Sequence, residues 1–114
     1  MNLQTEDHNG TQVVCVDAAR IDAAVAIQFK DLMREVTTPG NGRVVMDLSR
    51  VEFLDSSGLG AVVAAMNQLG PDRHLDLAGL TPTVAKVFRL TRMDRIFRIH
   101  PDLDAALASG PDAA

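Results

Sequence analysis

The sequence has no tryptophan or tyrosine, only four phenylalanines, and a single cysteine among its 114 residues. A lone cysteine excludes an internal disulfide, and Cys15 lies in the apolar run 13–16, where we expect it to fill core space. Because aromatic side chains are so few, the 46% of hydrophobic residues must form a largely aliphatic core. Length and composition together indicate one ordinary globular domain.

The sequence also shows no signal peptide and no membrane span. Residues 1–7 lack a basic region followed by an apolar stretch, and no apolar run approaches the roughly 20 residues that cross a bilayer. We therefore expect a cytoplasmic protein, in keeping with its single cysteine. The net charge of −4 argues against nucleic acid as a direct partner, because nucleic-acid-binding domains are usually basic.

Turn residues and hydrophobic periodicity predict alternating strands and helices. Asn9-Gly10 is a strong hairpin signal between strands at 2–7 and 12–17. A helix follows, with Asp22 at its N-cap position and a buried side formed by Val25, Phe29, Leu32 and Val36. The remaining predicted elements are a buried strand at 43–48, a helix from Asp55-Ser56-Ser57 to Leu69, a strand at 74–78, a helix beginning at Thr81-Pro82, a strand at 96–99 and a helix at 102–107.

The predicted order is ββαβαβαβα, which is typical of an α/β domain. Such alternation implies a mixed, mostly parallel sheet with right-handed crossovers, here preceded by an antiparallel N-terminal β-hairpin and accompanied by about four helices. No linker or internal repeat is visible. We therefore expect residues 1–110 to form a single domain and residues 111–114 to be a frayed C-terminal tail.

Two serines stand where the second predicted helix begins. The first amide groups of a helix lack internal partners and carry partial positive charge, so this position accepts a phosphate well. Gly58 and Gly60 follow and would let a phosphate or a partner approach the backbone. A simpler interpretation stays open at this point, in which Ser56 or Ser57 only caps the helix.

Catalytic motifs are not apparent. Gly58-x-Gly60 lacks the third small residue of a dinucleotide fingerprint, and Ser57 lacks the glycine that precedes the serine of a nucleophile elbow. The three histidines are scattered, and no cluster has metal-ligand spacing. The sequence therefore predicts no enzyme, no cofactor and no metal site, although a small enzyme using Ser57 is kept as an alternative.

The segments Val45–Leu48 and Val51–Gly60 together resemble the signature of STAS domains, and specifically of bacterial anti-sigma-factor antagonists. The resemblance covers nearly the whole chain, from the hairpin to the helix at Thr81-Pro82. It implies that Ser56, directly after Asp55, is the phosphorylated residue. It also implies that Asp22 matches the aspartate that opens the first helix of family members, although the preceding Ala19-Arg20-Ile21 lacks the usual glycine and acidic residue.

The resemblance further implies a partner switch. The unphosphorylated protein would bind an anti-sigma factor that is also a serine kinase of the histidine-kinase-like ATPase fold, and phosphorylation would release it. A PP2C-type, metal-dependent serine phosphatase would reset the switch. Residues expected at the partner or phosphate surface are Asp22, Asp55, Ser57, Gly58 and Leu59. The alternative is a non-switching STAS module, acting as a scaffold or as an accessory subunit of a stressosome-like, lipid-transport or two-component system.

One further feature is a basic segment that holds five of the eleven basic residues in thirteen positions: Lys86, Arg89, Arg92, Arg95 and Arg98. Such a cluster could contact an acidic protein, a lipid headgroup or nucleic acid. A solvated helix face that runs into an edge strand also explains it, and the sequence favours that interpretation.

Overall fold

The computed structural model describes residues 1–109, so the tail predicted at 111–114 lies outside the described residues. The elements are β1 (Asn2–His8), β2 (Thr11–Asp17), β3 (Arg20–Ile21), α1 (Ala26–Thr37), β4 (Val44–Asp47), β5 (Phe53–Leu54), α2 (Ser56–Leu69), β6 (Leu75–Ala78), α3 (Pro82–Leu90), β7 (Ile99–His100) and α4 (Leu103–Ser109). A 3-10 turn at Met93–Arg95 connects α3 with β7.

The main sheet has the strand order β1-β2-β4-β6-β7. β1 and β2 are antiparallel, whereas β2–β4, β4–β6 and β6–β7 are parallel. Asn9 and Gly10 have φ angles of 53° and 88°, which a two-residue hairpin turn requires and which these two residue types tolerate. The predicted mixed, mostly parallel sheet with an N-terminal hairpin is therefore confirmed.

Helices α1, α2 and α3 cover one face of this sheet and α4 covers part of the other. On the first face Phe29, Met33, Val62 and Phe88 pack in one apolar cluster with strand residues such as Met46. On the opposite face Ala106 of α4 packs against Val45 and Ala78. β4 is therefore buried on both faces, as its continuous apolar run predicts.

A buried ion pair joins α4 to the sheet. The guanidinium of Arg43 donates to Asp76 Oδ2 at 2.9 Å and to the carbonyl of Ala106 at 2.8 Å. The ring of His100 lies 3.1 Å from the same Asp76 oxygen. Two buried charges are costly unless they are paired and hydrogen-bonded. A shift of these elements would leave Arg43 or Asp76 without its partner, so the ion pair holds β4, β6, β7 and α4 in one register.

The predicted start of the first helix is wrong. α1 begins at Ala26 with Val25 at the N-cap, four residues after Asp22. The carbonyl of Asp22 instead accepts the amide of Val25 in a turn, at 3.1 Å. The buried residues of α1 are Ala26, Phe29, Met33 and Thr37. Val25, Leu32 and Val36, which the sequence predicts on the buried side, are only half-buried. Leu32 and Met33 are both apolar, and periodicity alone does not choose between them.

The last strand also differs from the prediction at 96–99. The 3-10 turn continues through bonds from the amides of Ile96 and Phe97 to the carbonyl of Met93, so these residues do not pair with β6. β7 consists of Ile99–His100 only, and Ile96 is 51% exposed. Two short strands that the sequence did not predict, β3 and β5, pair in parallel outside the main sheet.

Candidate functional site

The two serines occupy the first two positions of α2, and both are exposed. The preceding residue, Asp55, is the N-cap, and its Oδ1 accepts the amide of Gly58 at 2.9 Å. The predicted helix start is therefore confirmed. The interpretation in which Ser56 or Ser57 caps the helix is wrong, because the aspartate provides the cap and leaves both hydroxyls facing solvent.

The short strands β3 and β5 bring a second segment to this helix start. Arg20 pairs with Phe53 and Ile21 pairs with Leu54. The amide of Asp55 continues the pairing by donating to the carbonyl of Ile21 at 3.4 Å. As a result, the turn after β3 and the first turn of α2 lie side by side.

Asp55 also makes the contact that closes this arrangement. Its Oδ2 accepts the amide of Ala23 at 3.2 Å, while its Oδ1 caps α2. Asp22 directly precedes Ala23, and Ser56 directly follows Asp55. The hydrogen bond between Ala23 and Asp55 therefore joins the segments that carry Asp22 and Ser56. Asp22 and Ser56 therefore lie on neighbouring segments, which the β3–β5 pair and the bond between Asp55 and Ala23 hold together.

The carboxylate of Asp22 makes local contacts. Its Oδ1 accepts the amide of Ala24 and its Oδ2 accepts Nε of Arg20, both at 3.2 Å. Its side chain is 24% exposed, and within residues 1–109 no hydrogen bond joins it to Ser56. The guanidinium of Arg20 also lies 4.1 Å from the centre of the Phe53 ring, a cation–π contact. The Asp22 carboxylate and the Arg20 guanidinium thus form an ion pair on the segment that adjoins the start of α2.

Gly58 and Leu59 are buried, in contrast to the serines. A Cβ atom at Gly58 would lie 1.9 Å from the carbonyl oxygen of Ile21. Glycine at this position therefore allows α2 to pack directly on the backbone of β3, and Leu59 extends into the apolar core. Both residues were expected at the partner surface; the structure instead places them beneath it. At Gly60 a Cβ would meet nothing within 4 Å, so the surface there is open.

Sequence reasoning assigned no role to two neighbouring side chains. Arg20 lies two positions before Asp22 on an extended segment, a spacing that places both on the same side. Ile27, in the first turn of α1, is 70% exposed. In the sequence, Ile27 differs from its neighbours only in being an apolar residue that does not belong to the buried side of α1.

Within residues 1–109, no group of three or more His, Cys, Asp or Glu side chains could hold a metal ion. None of the helices in this part of the chain combines the length and hydropathy that a bilayer crossing requires.

Comparisons with known proteins agree with the fold and with the motif. The sequence model of the STAS domain matches residues 2–106. The anti-sigma-F factor antagonist RsfB of Mycobacterium tuberculosis is 30% identical over 107 residues, which cover 94% of this chain and 87% of RsfB. The crystal structure of an anti-sigma factor antagonist from Mycobacterium paratuberculosis is 32% identical, covers 95% of this chain and 92% of that chain, and superposes with a TM-score of 0.83.

A more distant structure shares the fold. SpoIIAA from Bacillus, solved in its phosphorylated form, is 22% identical and has a TM-score of 0.65 over 94% of this chain and 97% of that chain. At this level of identity the likeness concerns the architecture alone.

Proposed function

The chain belongs to the STAS domain family, and from that premise we propose that it is an anti-sigma-factor antagonist switched by phosphorylation of Ser56. One observation carries the proposal. Ser56 presents an exposed hydroxyl at the first position of α2, next to an aspartate whose two oxygens already tie α2 to the turn at Ala23. A kinase can reach this hydroxyl without unfolding any element.

Phosphorylation changes the charge of this surface strongly. A phosphoserine adds about −1.5 to −2 charges at neutral pH, next to the carboxylates of Asp22 and Asp55. The start of α2 offers partial positive charge to the phosphate, so the modified domain stays folded. An interface that formed around a neutral hydroxyl has no counter-charge for this group, and an unpaired buried charge costs several kcal/mol. The partner is therefore released.

The partner that fits this cycle is an anti-sigma factor that is also a serine kinase of the histidine-kinase-like ATPase fold. A PP2C-type phosphatase removes the phosphate and restores binding. In this cycle the chain acts in the cytoplasm as a binding protein and not as an enzyme. That the same fold exists in a phosphorylated form, in SpoIIAA, supports the proposal that it tolerates the modification.

The surrounding residues take different parts in this proposal. Ser57 is exposed beside Ser56 and contacts the partner. Asp22 and Asp55 supply the negative field that the phosphate increases. Arg20 partly neutralises Asp22 through the 3.2 Å contact and so sets the charge that an approaching partner meets. Gly58 and Leu59 support the surface from below.

Phosphopeptide mapping tests the modification site. The full chain is incubated with ATP and the kinase partner, and phosphate is expected on Ser56. Ser57→Ala is the matched control and should still be phosphorylated, whereas Ser56→Ala should not. Phosphate on Ser57, or on a residue outside the first turn of α2, would contradict the assignment. If the kinase binds the chain but modifies neither serine, the non-switching scaffold is the better account.

A further inference from the structure

A groove lies between the C-terminal end of α2 and the segment after α3. It has a volume of about 460 Å³, and its lining includes Met66, Gly70 and Pro71 on one side and Ile96 and Arg98 on the other. Its floor is formed by the segment at Arg73 and His74 and by the first residues of β6. Because α2 begins at Ser56 and ends at Leu69, the groove lies at the opposite end of α2 from the exposed serine.

The accessible charge of this groove is positive. Arg98 is exposed and supplies this charge, whereas the guanidinium of Arg73 donates to the carbonyls of Gly42 and Thr37 and its Nη2 is buried. The single acidic residue of the lining, Asp76, is already paired with Arg43 and in contact with His100.

Arg98 is also the last residue of the basic segment. Lys86, Arg89, Arg92, Arg95 and Arg98 are all exposed, and within residues 1–109 none of them takes part in an ion pair. The segment holds five of the eleven basic residues and only one of the fifteen acidic residues, so the rest of the chain is acidic. A solvated face of α3 alone does not explain this segregation, because Arg92, Arg95 and Arg98 follow the end of α3 and Arg98 lines the groove.

The groove also has an apolar wall. Ile96 is 51% exposed, although it is a large aliphatic side chain, and it lines the groove together with Met66 and Leu75. A side chain that entered here would remove the exposed part of Ile96 from water.

We propose that this groove binds an acidic segment of a protein partner, which places an apolar side chain against Met66 and Ile96 and its carboxylates against Arg95 and Arg98. The volume suits one or two side chains, and ligand-binding clefts of this size are common. The guanidinium groups can each form paired hydrogen bonds with a carboxylate.

The shape and composition favour a protein segment over other anionic partners. A lipid surface is bound by side chains that project outward, whereas Ile96 and Arg98 line a concave groove. Single-stranded nucleic acid is held mainly by exposed aromatic side chains, and no phenylalanine, tyrosine or tryptophan is among the residues that line this groove. The position away from Ser56 allows the segment to bind whether or not the serine is phosphorylated.

The test uses the full chain and a synthetic 14-residue peptide of Glu and Leu at helical spacing, with a peptide carrying Gln for Glu as its neutral counterpart. Amide chemical shifts are followed by NMR during titration. We expect saturable binding of the acidic peptide, with shifts at the residues lining the groove and at most weak binding of the neutral peptide. Arg98→Glu should weaken binding about tenfold or more.

Matched controls separate the groove from general charge effects. Lys30→Glu makes the same charge change on the exposed face of α1, and Leu90→Ser removes another exposed aliphatic side chain that does not line the groove. Both should bind the peptide within about twofold of the parent, whereas Ile96→Ser should bind several times more weakly. Ser56→Asp should bind like the parent, so this result is independent of the proposed switch.

Three outcomes would overturn the proposal. The acidic peptide fails to bind, or Lys30→Glu weakens binding as much as Arg98→Glu, or the chain instead binds vesicles of equal parts phosphatidylcholine and phosphatidylglycerol through Arg98 and Ile96. The last result would identify the surface as a lipid contact.

Discussion

Asp55 Oδ2 accepts a hydrogen bond from the amide of Ala23, with 3.2 Å between the nitrogen and the oxygen, while Asp55 Oδ1 caps α2. A single side chain therefore fixes the position of the exposed serine relative to the turn that carries Asp22. A group attached to Ser56 is therefore next to both segments, because the Asp55 carboxylate and the β3–β5 pair join them. This connection is the structural basis of the proposed switch.

Replacing Asp55 with alanine removes both of these hydrogen bonds. We expect the free energy of unfolding to fall by about 2 kcal/mol, since loss of an N-cap alone costs roughly 1 kcal/mol and the second bond adds to it. Urea unfolding of the full chain measures the difference. Asp31→Ala, at an exposed position of α1, is the control and should change stability by less than about 0.5 kcal/mol. Equal stability of the two variants would contradict the role of Asp55.

The two glycines at the start of α2 should respond oppositely to alanine. Gly58→Ala places a Cβ 1.9 Å from the carbonyl oxygen of Ile21, so we expect a loss of at least about 2 kcal/mol and a displaced β3. Gly60→Ala meets open space and should gain up to about 1 kcal/mol through its better helix propensity. Thermal unfolding compares the pair directly. A Gly58→Ala variant as stable as the parent would show that α2 can withdraw from β3 without cost.

Asp22→Asn keeps an oxygen for the amide of Ala24 but removes the negative charge. We expect the fold to be nearly unchanged, because exposed ion pairs contribute about 0.2–1 kcal/mol. Phosphorylation of Ser56 should slow severalfold, since the charge next to the serine has changed. Asp17→Asn is a matched control, because Asp17 also pairs with an arginine, Arg50 at 3.3 Å, outside this site. Identical phosphorylation rates for the parent and both variants would exclude a role for Asp22 in the transfer of phosphate to Ser56.

Cys15 gives a prediction about pH. Burial, and next the carboxylate of Asp47, raise the pKa of the Cys15 thiol. At pH 8 the thiolate fraction is therefore smaller than in a free cysteine, whose pKa is about 8.5. Alkylation by iodoacetamide should be slower in the folded chain than in urea and should increase at higher pH. Asp47→Asn should shift this profile towards lower pH. A folded-state profile that coincided with the one in urea would contradict the prediction.

Several parts of the fold are predictable because their signals are local. Asn9-Gly10 determines its turn through its own backbone preferences, and the alternation of apolar strands with amphipathic helices indicates the sheet. The start of α2 is also predictable, because Asp and Ser are common at helix starts and apolar residues at helical spacing follow at Leu59, Val62 and Met66. These signals do not depend on distant parts of the chain.

The remaining features depend on contacts between segments far apart in sequence. β3 and β5 have two residues each, too few to show a period, and they form only because they pair with each other. The need for glycine at position 58 arises from the carbonyl of Ile21, 37 positions earlier. Asp22 has the residue type of an N-cap, but its carbonyl and side chain close a turn instead. The site is thus recognisable from its motif, while its geometry is set by tertiary contacts.

Binding of the kinase partner to four forms of the chain decides whether phosphorylation of Ser56 acts as a switch. Isothermal titration calorimetry, without ATP, compares the parent, Ser56→Ala, Ser56→Asp and the protein phosphorylated on Ser56. The account predicts that the parent and Ser56→Ala bind alike and that the aspartate binds more weakly. It predicts that the phosphorylated form loses more than about a hundredfold in affinity, which corresponds to about 3 kcal/mol. A phosphorylated protein that bound as tightly as the parent would contradict the partner switch.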